Sequence, residues 1–420
     1  MFRRRRALTD PVTIHLDGEA LPAERGEPLA AALLAADKTI LARSPKLHRP
    51  RGPSCFRGGC DGCLARVDGM PNVMLCQTPA RGGEQIGAQN VIGSRKADLL
   101  RVTDWFFAKG IDHHHMLAGV PGLSTVMQGF AAKVAGLGRL PSTVEEVRPA
   151  RRLAVDVAVV GGGVAGIAAA SALAAQGRAV ALVDDGLALG GALVGAPASA
   201  EELLAGCPLA TATVFSHSVA AGFYDGDLLV VTAELEAIVV RARAIVFATG
   251  AHDGTLAVPG NDLPGVFSAR ALCRLVHGGI EPDGPTAIVG DGFWADELAR
   301  ALGDAPVMRL GKDDLVDVRG TAVVRNVTRR APDTGDLATH AVAVVALALP
   351  GAPSFELPAQ AGADVRFDPA LGYVVVTDDR GRFAPSAWAA GECTGKPFDP
   401  RALRAEGQRV AADVHAALGG

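Results

Sequence analysis

Residues 155–185, VDVAVVGGGVAGIAAASALAAQGRAVALVDD, leave this chain few architectures to choose from. The apolar run 155–160 is short and β-branched, as a parallel strand buried on both faces requires. Gly161, Gly163 and Gly166 then set G-x-G-x-x-G. In that pattern the first glycine allows the tight turn, the second lets a pyrophosphate approach the backbone, and the third lets helix pack on strand. Residues 164–175 read as an alanine-rich helix whose first N–H groups face the phosphates, Gly177 as its stop, and 178–183 as a second strand. That strand delivers Asp184 at the distance from which a carboxylate grips a ribose hydroxyl. All five parts fall in register, so the stretch predicts dinucleotide binding.

The 420 residues suffice for two to four domains at about 150 residues each. A net charge of −4 argues against a nucleic-acid partner. No uninterrupted apolar stretch reaches the roughly 18 residues that suggest a membrane span. The opening Met-Phe-Arg-Arg-Arg-Arg resembles the charged start of a secretion leader, but Thr9, Asp10, Pro11, His15 and Asp17 interrupt the apolar segment that should follow. A cytoplasmic location is therefore expected.

Four of the seven cysteines crowd into residues 55–76, which fits a metal site better than a disulfide framework. Cys55-x4-Cys60-x2-Cys63, with Cys76 twelve residues beyond, has the plant-type [2Fe–2S] spacing. Gly58, Gly59 and Gly62 suit a loop that must bend sharply around a cluster and aim N–H groups at sulfur. Zinc is the rival occupant, although zinc sites usually pair two short knuckles and only one is present. Ahead of this loop, 12–16 reads as a strand, Asp17-Gly18 as a hairpin turn and 28–36 as a short helix, the order of a small β-grasp domain over residues 1–100. Arg43, Lys46, His48, Arg49 and Arg51 make a basic arm, read as a solvated loop that softens the cluster's negative charge. The alternative is a clasp for the phosphate of a second flavin shared with a partner.

Residues 101–150 read as a connector that packs on a partner, with a helix over 97–109 offering Leu100, Trp105 and Phe106. His113, His114 and His115 are consecutive, so their side chains diverge and no metal is expected there. The stretch 119–139 is apolar and punctuated by glycine and proline, and 140–152 reads as a linker. Beyond it, Gly190-Gly191 could let the backbone pass close to a cofactor. Residues 244–250, AIVFATG, form another buried strand ending at Thr249-Gly250, a second flavoprotein signature. Residues 285–303 open a second βαβ unit with Gly290, Gly292 and Ala295 in the glycine positions. That copy carries Arg309 where a carboxylate would hold the ribose of NAD, and bulky Phe293-Trp294 at the turn, so NAD(P) binding and a structural relic both stand. Asp291 and Asp296 read as solvated helix-start residues. Cys207, Cys273 and Cys393 stand alone, as packed thiols without dithiol chemistry.

ATGAHDGTLAVPGNDLPGV at 248–266 and SPKLHRPRG at 44–52 resemble segments of the α-subunit family of heterotetrameric sarcosine oxidase, hydrogen cyanide synthase, opine oxidase and dye-linked proline dehydrogenase. The likeness covers almost the whole chain. It implies an α/β two-dinucleotide-binding-domain flavoprotein, Rossmann-like, with one nucleotide fold inserted in the other, behind a β-grasp [2Fe–2S] ferredoxin-like domain. FAD would then occupy residues 151–265 and 381–420, and 266–380 would form the second, NAD-like fold. It also implies that 387–395, AWAAGECTG, returns to the flavin, with Gly391 and with Glu392 in the place of the family's Asp at the ribityl chain. The FAD contacts are thus expected at Gly161, Gly163, Gly166, Asp184, Gly191, Thr249, Gly250, Gly391 and Glu392, and the cluster at Cys55, Cys60, Cys63 and Cys76. Only 56 residues separate Gly191 from Ala248, compact for this family, and the chain reaches Gly420 without a folate-binding module, so formaldehyde transfer to folate is not expected.

The leading function is an electron-transfer subunit carrying FAD and [2Fe–2S] in a multi-subunit amine or imino acid dehydrogenase or oxidase. A β-type FAD-dependent subunit would oxidise the C–N bond, and a small molecule or redox protein would accept the electrons. No catalytic acid or base is legible here, in keeping with chemistry on a partner. The alternatives are a self-sufficient NAD(P)H-dependent reductase with the cluster as exit, and a non-catalytic cofactor-bearing scaffold subunit.

Overall fold

The computed structural model describes residues 1–45, 47–106, 125, 126, 129 and 149–419. The chain divides into two compact units, one built from Met1–Val144, Thr255–Gly290 and Ala299–Leu347, the other from Glu145–Gly254, Asp291–Leu298 and Ala348–Gly420. The three histidines at 113–115, the apolar stretch 119–139 (save residues 125, 126 and 129) and Lys46 lie outside the described residues. No helix among the described residues is long and apolar enough to cross a membrane.

In the first unit, strand Pro11–Leu16 alternates, sending Val12, Ile14 and Leu16 inward. Asp17 and Gly18 take φ of 50° and 87°, the paired left-handed geometry of a two-residue hairpin, and Leu16 pairs with Glu19 across it. The mixed sheet runs Glu19–Glu24, Pro11–Leu16, Gln85–Gly87, Leu64–Val67, Met70–Met74. Pro11–Leu16 and Gln85–Gly87 pair in parallel, and helix Leu29–Ala35 buries Leu29, Leu33 and Leu34, which completes a β-grasp. The same unit holds a sheet in the order Val266–Ser268, Val344–Ala348, Thr286–Gly290, Val307–Leu310, its first and last pairs parallel.

Two features of this unit differ from the sequence reading. The arginine-rich opening is built into the fold: Phe2–Arg4 pairs antiparallel with Ile280–Pro282, and Phe2 is buried with its ring edge-on to Phe267 at 5.4 Å. Arg4 and Arg5 are held by Glu27 and Glu281. The basic arm is not a solvated loop. Arg43 is buried and donates to the carbonyls of His48 and Arg95, at 3.0 and 2.7 Å. His48 is fully buried with Nδ1 2.9 Å from Asp98. Arg49 pairs with Asp104 and Arg51 with Asp262. Each of these side chains thus has an internal partner, and the arm acts as a set of struts. In the connector, Asp98 accepts from the Leu100 N–H and starts a 3-10 turn, Leu99–Arg101, followed by helix Val102–Phe106. Trp105 on it is 77% exposed.

The second unit carries the main sheet. Strand Arg151–Val160 lies between Val180–Val183 and Ala237–Phe247, parallel to both, and Ala387–Ala389 continues the parallel order beside residues 245–247. The central strand begins four residues before the apolar run, because Arg151–Ala154 pair with Ile238–Arg241 beyond the buried layer. The short interval between Gly191 and Ala248 holds helix Pro197–Leu204 and an antiparallel hairpin, Val219–Tyr224 with Asp227–Val231, before strand Ala237–Phe247. Helix Val164–Ala175 is buried nearly throughout. Helix Pro400–Ala417 crosses it with Gly407 over the Ala165 carbonyl, where any β-carbon would collide with backbone.

Gly407→Val forces these two helices apart. The expected cost is about 2–3 kcal/mol, from overpacking and the loss of close contact, and thermal melting against the parent chain measures it.

Candidate cofactor sites

The flavin-site residues expected from sequence gather at the C-terminal edge of the parallel strands of the second unit, the place where open α/β sheets bind ligands. Gly161 has φ of 107° and touches the Ala248 carbonyl so closely that a side chain is excluded. Gly166 is likewise pressed on Gly161 and Ala248. At Gly163 the opposite holds: a β-carbon there would meet nothing within 4 Å, and helix Val164–Ala175 starts on it without a side-chain cap. The helix N-terminus therefore offers backbone donors behind an open approach, a cradle that fits a pyrophosphate.

The neighbouring turns close on this one. Gly190 donates to the Gly162 carbonyl at 2.8 Å, and Gly191 lies against the Gly163 backbone. Asp184, buried at the end of Val180–Val183, accepts from the N–H groups of Gly162 and Gly186 at 2.6 and 2.9 Å. Those bonds fix its carboxylate beside the glycine turn. Ala248 donates to the Val160 carbonyl at 2.7 Å, and Thr249 Oγ1 to the Ser354 carbonyl at 2.6 Å. Gly391 lies against Ala165, and Glu392 is buried in the 3-10 turn Glu392–Thr394 that follows. Cys393 beside it is fully buried; burial first, with Glu406's negative charge adding, pushes its thiol up to about 11, so it is an inert packed group.

In the first unit, the four thiols of the cysteine loop form a chain of contacts, Cys60 to Cys55 at 3.4 Å, Cys55 to Cys76, and Cys76 to Cys63. Cys55, Cys63 and Cys76 are buried and Cys60 is half-buried. Backbone N–H groups of Arg57, Gly58 and Ser54 reach Cys55, Cys76 and Cys60. Cys60 is raised by Cys55 and then by burial. Cys55 favours the thiolate of Cys76, yet Cys63 and burial push that thiol up to about 12. Four thiolates this close require positive charge from a bound metal centre. Among the described residues no group of His, Cys, Asp or Glu is arranged around one metal ion. The end pairs, Cys60 with Cys55 and Cys76 with Cys63, suit two irons taking two thiolates each.

The loop owes its shape to residues that the cysteine spacing does not announce. Phe56 takes φ of 50°, a left-handed conformation unusual for a bulky residue, and is buried with its ring stacked 6.5 Å from Phe267. Its carbonyl accepts from Arg274 at 2.8 Å, and the Ser54 carbonyl accepts from the Ser268 N–H. Gly62 closes on the Gly52 carbonyl.

The second βαβ unit has strand Thr286–Gly290, helix Phe293–Leu302 and strand Val307–Leu310, with Gly290 and Gly292 at φ of 102° and 83°. Trp294 is buried against Phe398 at 4.8 Å, and Arg309 is exposed beside Ile288. Aromatic rings crowd the first helical turn, and a cation stands on the second strand where NAD would need a carboxylate for its ribose, although such a cation suits the 2′-phosphate of NADP.

Residues 9–91 match the 2Fe-2S iron-sulfur cluster binding domain family, and residues 155–334 the pyridine nucleotide-disulphide oxidoreductase family. The alpha chain of sarcosine oxidase from Rhizobium meliloti (strain 1021) is 26% identical over 339 residues, 72% of this chain and 34% of that protein. The A chain of opine oxidase from Agrobacterium tumefaciens (strain Ach5) is 33% identical over 192 residues, 39% of this chain and 38% of that protein. The chain thus spans little more than a third of the length of these relatives. L-proline dehydrogenase from P. horikoshii superposes with a TM-score of 0.74 at 23% identity, covering 99% of this chain and 76% of that one. Thioredoxin reductase of T. acidophilum shares the fold over 63% of this chain and 98% of its own, with a TM-score of 0.52 at 18% identity. The fold is a ferredoxin-type domain followed by a flavoprotein of the two-nucleotide-fold class, and its cofactors are FAD and a [2Fe–2S] cluster.

Gly163→Val fills the open approach to the helix N-terminus. Bound FAD is expected to fall at least about tenfold with iron content unchanged, by flavin and iron assay of the purified protein. Cys63→Ser is expected to give the reverse pattern, iron lost and FAD retained.

Proposed function

We propose that this chain, which is similar to the alpha chain of sarcosine oxidase and the A chain of opine oxidase and carries an N-terminal [2Fe–2S] domain, is the electron-transfer subunit of a multi-subunit amine or imino acid dehydrogenase or oxidase. A single observation carries the reading: one polypeptide builds both a dinucleotide cradle at Gly161–Gly166 and a four-thiol cradle at Cys55–Cys76. When bound, a flavin exchanges two electrons as hydride and a [2Fe–2S] cluster one at a time, so the pair joins two-electron oxidation to one-electron acceptors. Gly161, Gly163 and Gly166 bind the pyrophosphate, Asp184 takes the ribose, and Gly191, Thr249, Gly250, Gly391 and Glu392 line the rest of the FAD. Cys55, Cys60, Cys63 and Cys76 hold the irons. Phe56, fixed by Phe267 and Arg274, keeps the loop in the bend that aims its N–H groups at sulfur, which favours the reduced, more negative state.

In this reading the partner is a β-type subunit that oxidises a secondary amine or imino acid such as sarcosine or proline, and this chain passes the electrons on. The names of the relatives, which are themselves subunits, support it. A self-sufficient NAD(P)H reductase is the second reading, favoured by the left-handed Gly290 and Gly292 of the second glycine turn and opposed by Phe293 and Trp294, with Arg309 opposing NAD in particular.

Anaerobic titration of the complex purified with its native partners separates the two. Addition of sarcosine or proline is expected to bleach the flavin band and then the cluster band, while NADH bleaches neither. Flavin reduction by NADH in this chain alone would establish the reductase reading instead.

A further inference from the structure

The structure brings a second carboxylate to the flavin site, one that the sequence patterns do not mark. Glu406 lies in helix Pro400–Ala417 and is only 6% exposed. Helical side chains lean back toward the N-terminus of their helix. Glu406 accordingly reaches Lys396, whose Nζ donates to Oε1 at 2.5 Å. Lys396 follows Gly395, the left-handed residue that ends the Glu392–Thr394 turn, and is itself half exposed. The other oxygen is in a different state: Oε2 is buried and has no hydrogen-bond partner among the described residues.

Its surroundings place it by the cofactor cradle. Gly407, the next residue, touches the carbonyl of Ala165 in the first turn of the glycine-motif helix, and Gly391 lies against the same alanine. Cys393, within the Glu392–Thr394 turn, feels the charge of Glu406. The carboxylate therefore stands between the start of the phosphate-binding helix and the turn at Gly391–Gly395. A buried carboxylate oxygen without a donor is costly, and such groups in folded proteins are normally satisfied. Lys396 answers one oxygen, and FAD, rich in hydroxyl donors along its ribityl and ribose chains, can answer the other.

We propose that Glu406 is a cofactor-positioning residue whose Oε2 accepts a hydrogen bond from a sugar-chain hydroxyl of bound FAD, while Oε1 holds Lys396 at the edge of the same cleft. The proposal rests on FAD occupying the glycine cradle. It also gives the site a second acceptor next to the position where Glu392 replaces the family's aspartate.

The test uses the full chain, stripped of flavin and titrated with FAD, with apoprotein melting recorded in parallel and iron content as the check on folding. In Glu406→Leu the unanswered oxygen is gone, so the apoprotein is expected to melt at the parent temperature or above it. FAD affinity is expected to drop about tenfold or more, the loss of one hydrogen bond to a charged group. Glu406→Gln keeps the shape and one acceptor and is expected to lose about threefold to tenfold. Affinity within about twofold of the parent in Glu406→Gln and in any folded Glu406→Leu protein overturns the proposal and leaves Glu406 a packing ion pair. If Glu406→Leu does not fold, Glu406→Gln alone decides. A parent chain that takes up no FAD would instead defeat the premise, which is a separate result.

Discussion

The contact of Gly161 with the Ala248 carbonyl is the constraint on which the flavin unit depends. It can form only if the strands Arg151–Val160 and Ala237–Phe247 are neighbours, parallel and in the register that pairs Val160 with Phe247. Once that register is set, the glycine turn, the Thr249-Gly250 turn and the end of Ala387–Ala389 come to one edge of the sheet. Helix Pro400–Ala417 then has one way to cover the glycine-motif helix, with Gly407 on Ala165. Two backbone-to-backbone approaches, neither tolerant of a methyl group, thus fix the position of nearly every group expected to face the cofactor.

The cysteine loop solves a different problem. Four thiols crowded this closely, three of them with raised proton affinity, cannot organise themselves, so the loop must be held by its flanks. Phe56 sustains a left-handed backbone because its ring is packed on Phe267 and its carbonyl is taken by Arg274. The arm just upstream serves the same end: Arg43, His48, Arg49 and Arg51 are tied to Arg95, Asp98, Asp104 and Asp262. Asp104 stabilises the charged form of Arg49 first through its hydrogen bond, at a partly exposed pair. The buried His48–Asp98 pair stiffens the entry to the loop without touching the sulfurs in any contact seen.

What could be read from the sequence was whatever local chemistry dictates. Strand, glycine turn, helix and acid at 155–185 are a consecutive pattern whose parts need one another. The helix came out at Val164–Ala175, and the hairpin at Asp17-Gly18 has the two left-handed residues its composition calls for. Long-range pairing was not legible. Phe2 and the arginines beside it carry no mark of a strand in the sequence, because a strand of three residues, paired with Ile280–Pro282, has no periodicity to recognise. The basic arm looked solvated because its counter-charges, Asp98, Asp104 and Asp262, lie 50 to 211 residues away.

Glu406 belongs with these long-range cases and shows why a site exceeds its motifs. In sequence it is one acidic residue among the arginines of a helix, where a solvated charge is the ordinary expectation. It becomes a buried carboxylate only because Gly407 beside it lets the helix come down on Ala165, which carries position 406 inward with it. The glycine and the glutamate are thus one device: the residue without a side chain sets the depth of the helix, and that depth takes its neighbour's charge out of water. Lys396 offsets half of the resulting cost, and the half left unmet by the chain lies where the cofactor's hydroxyls are expected.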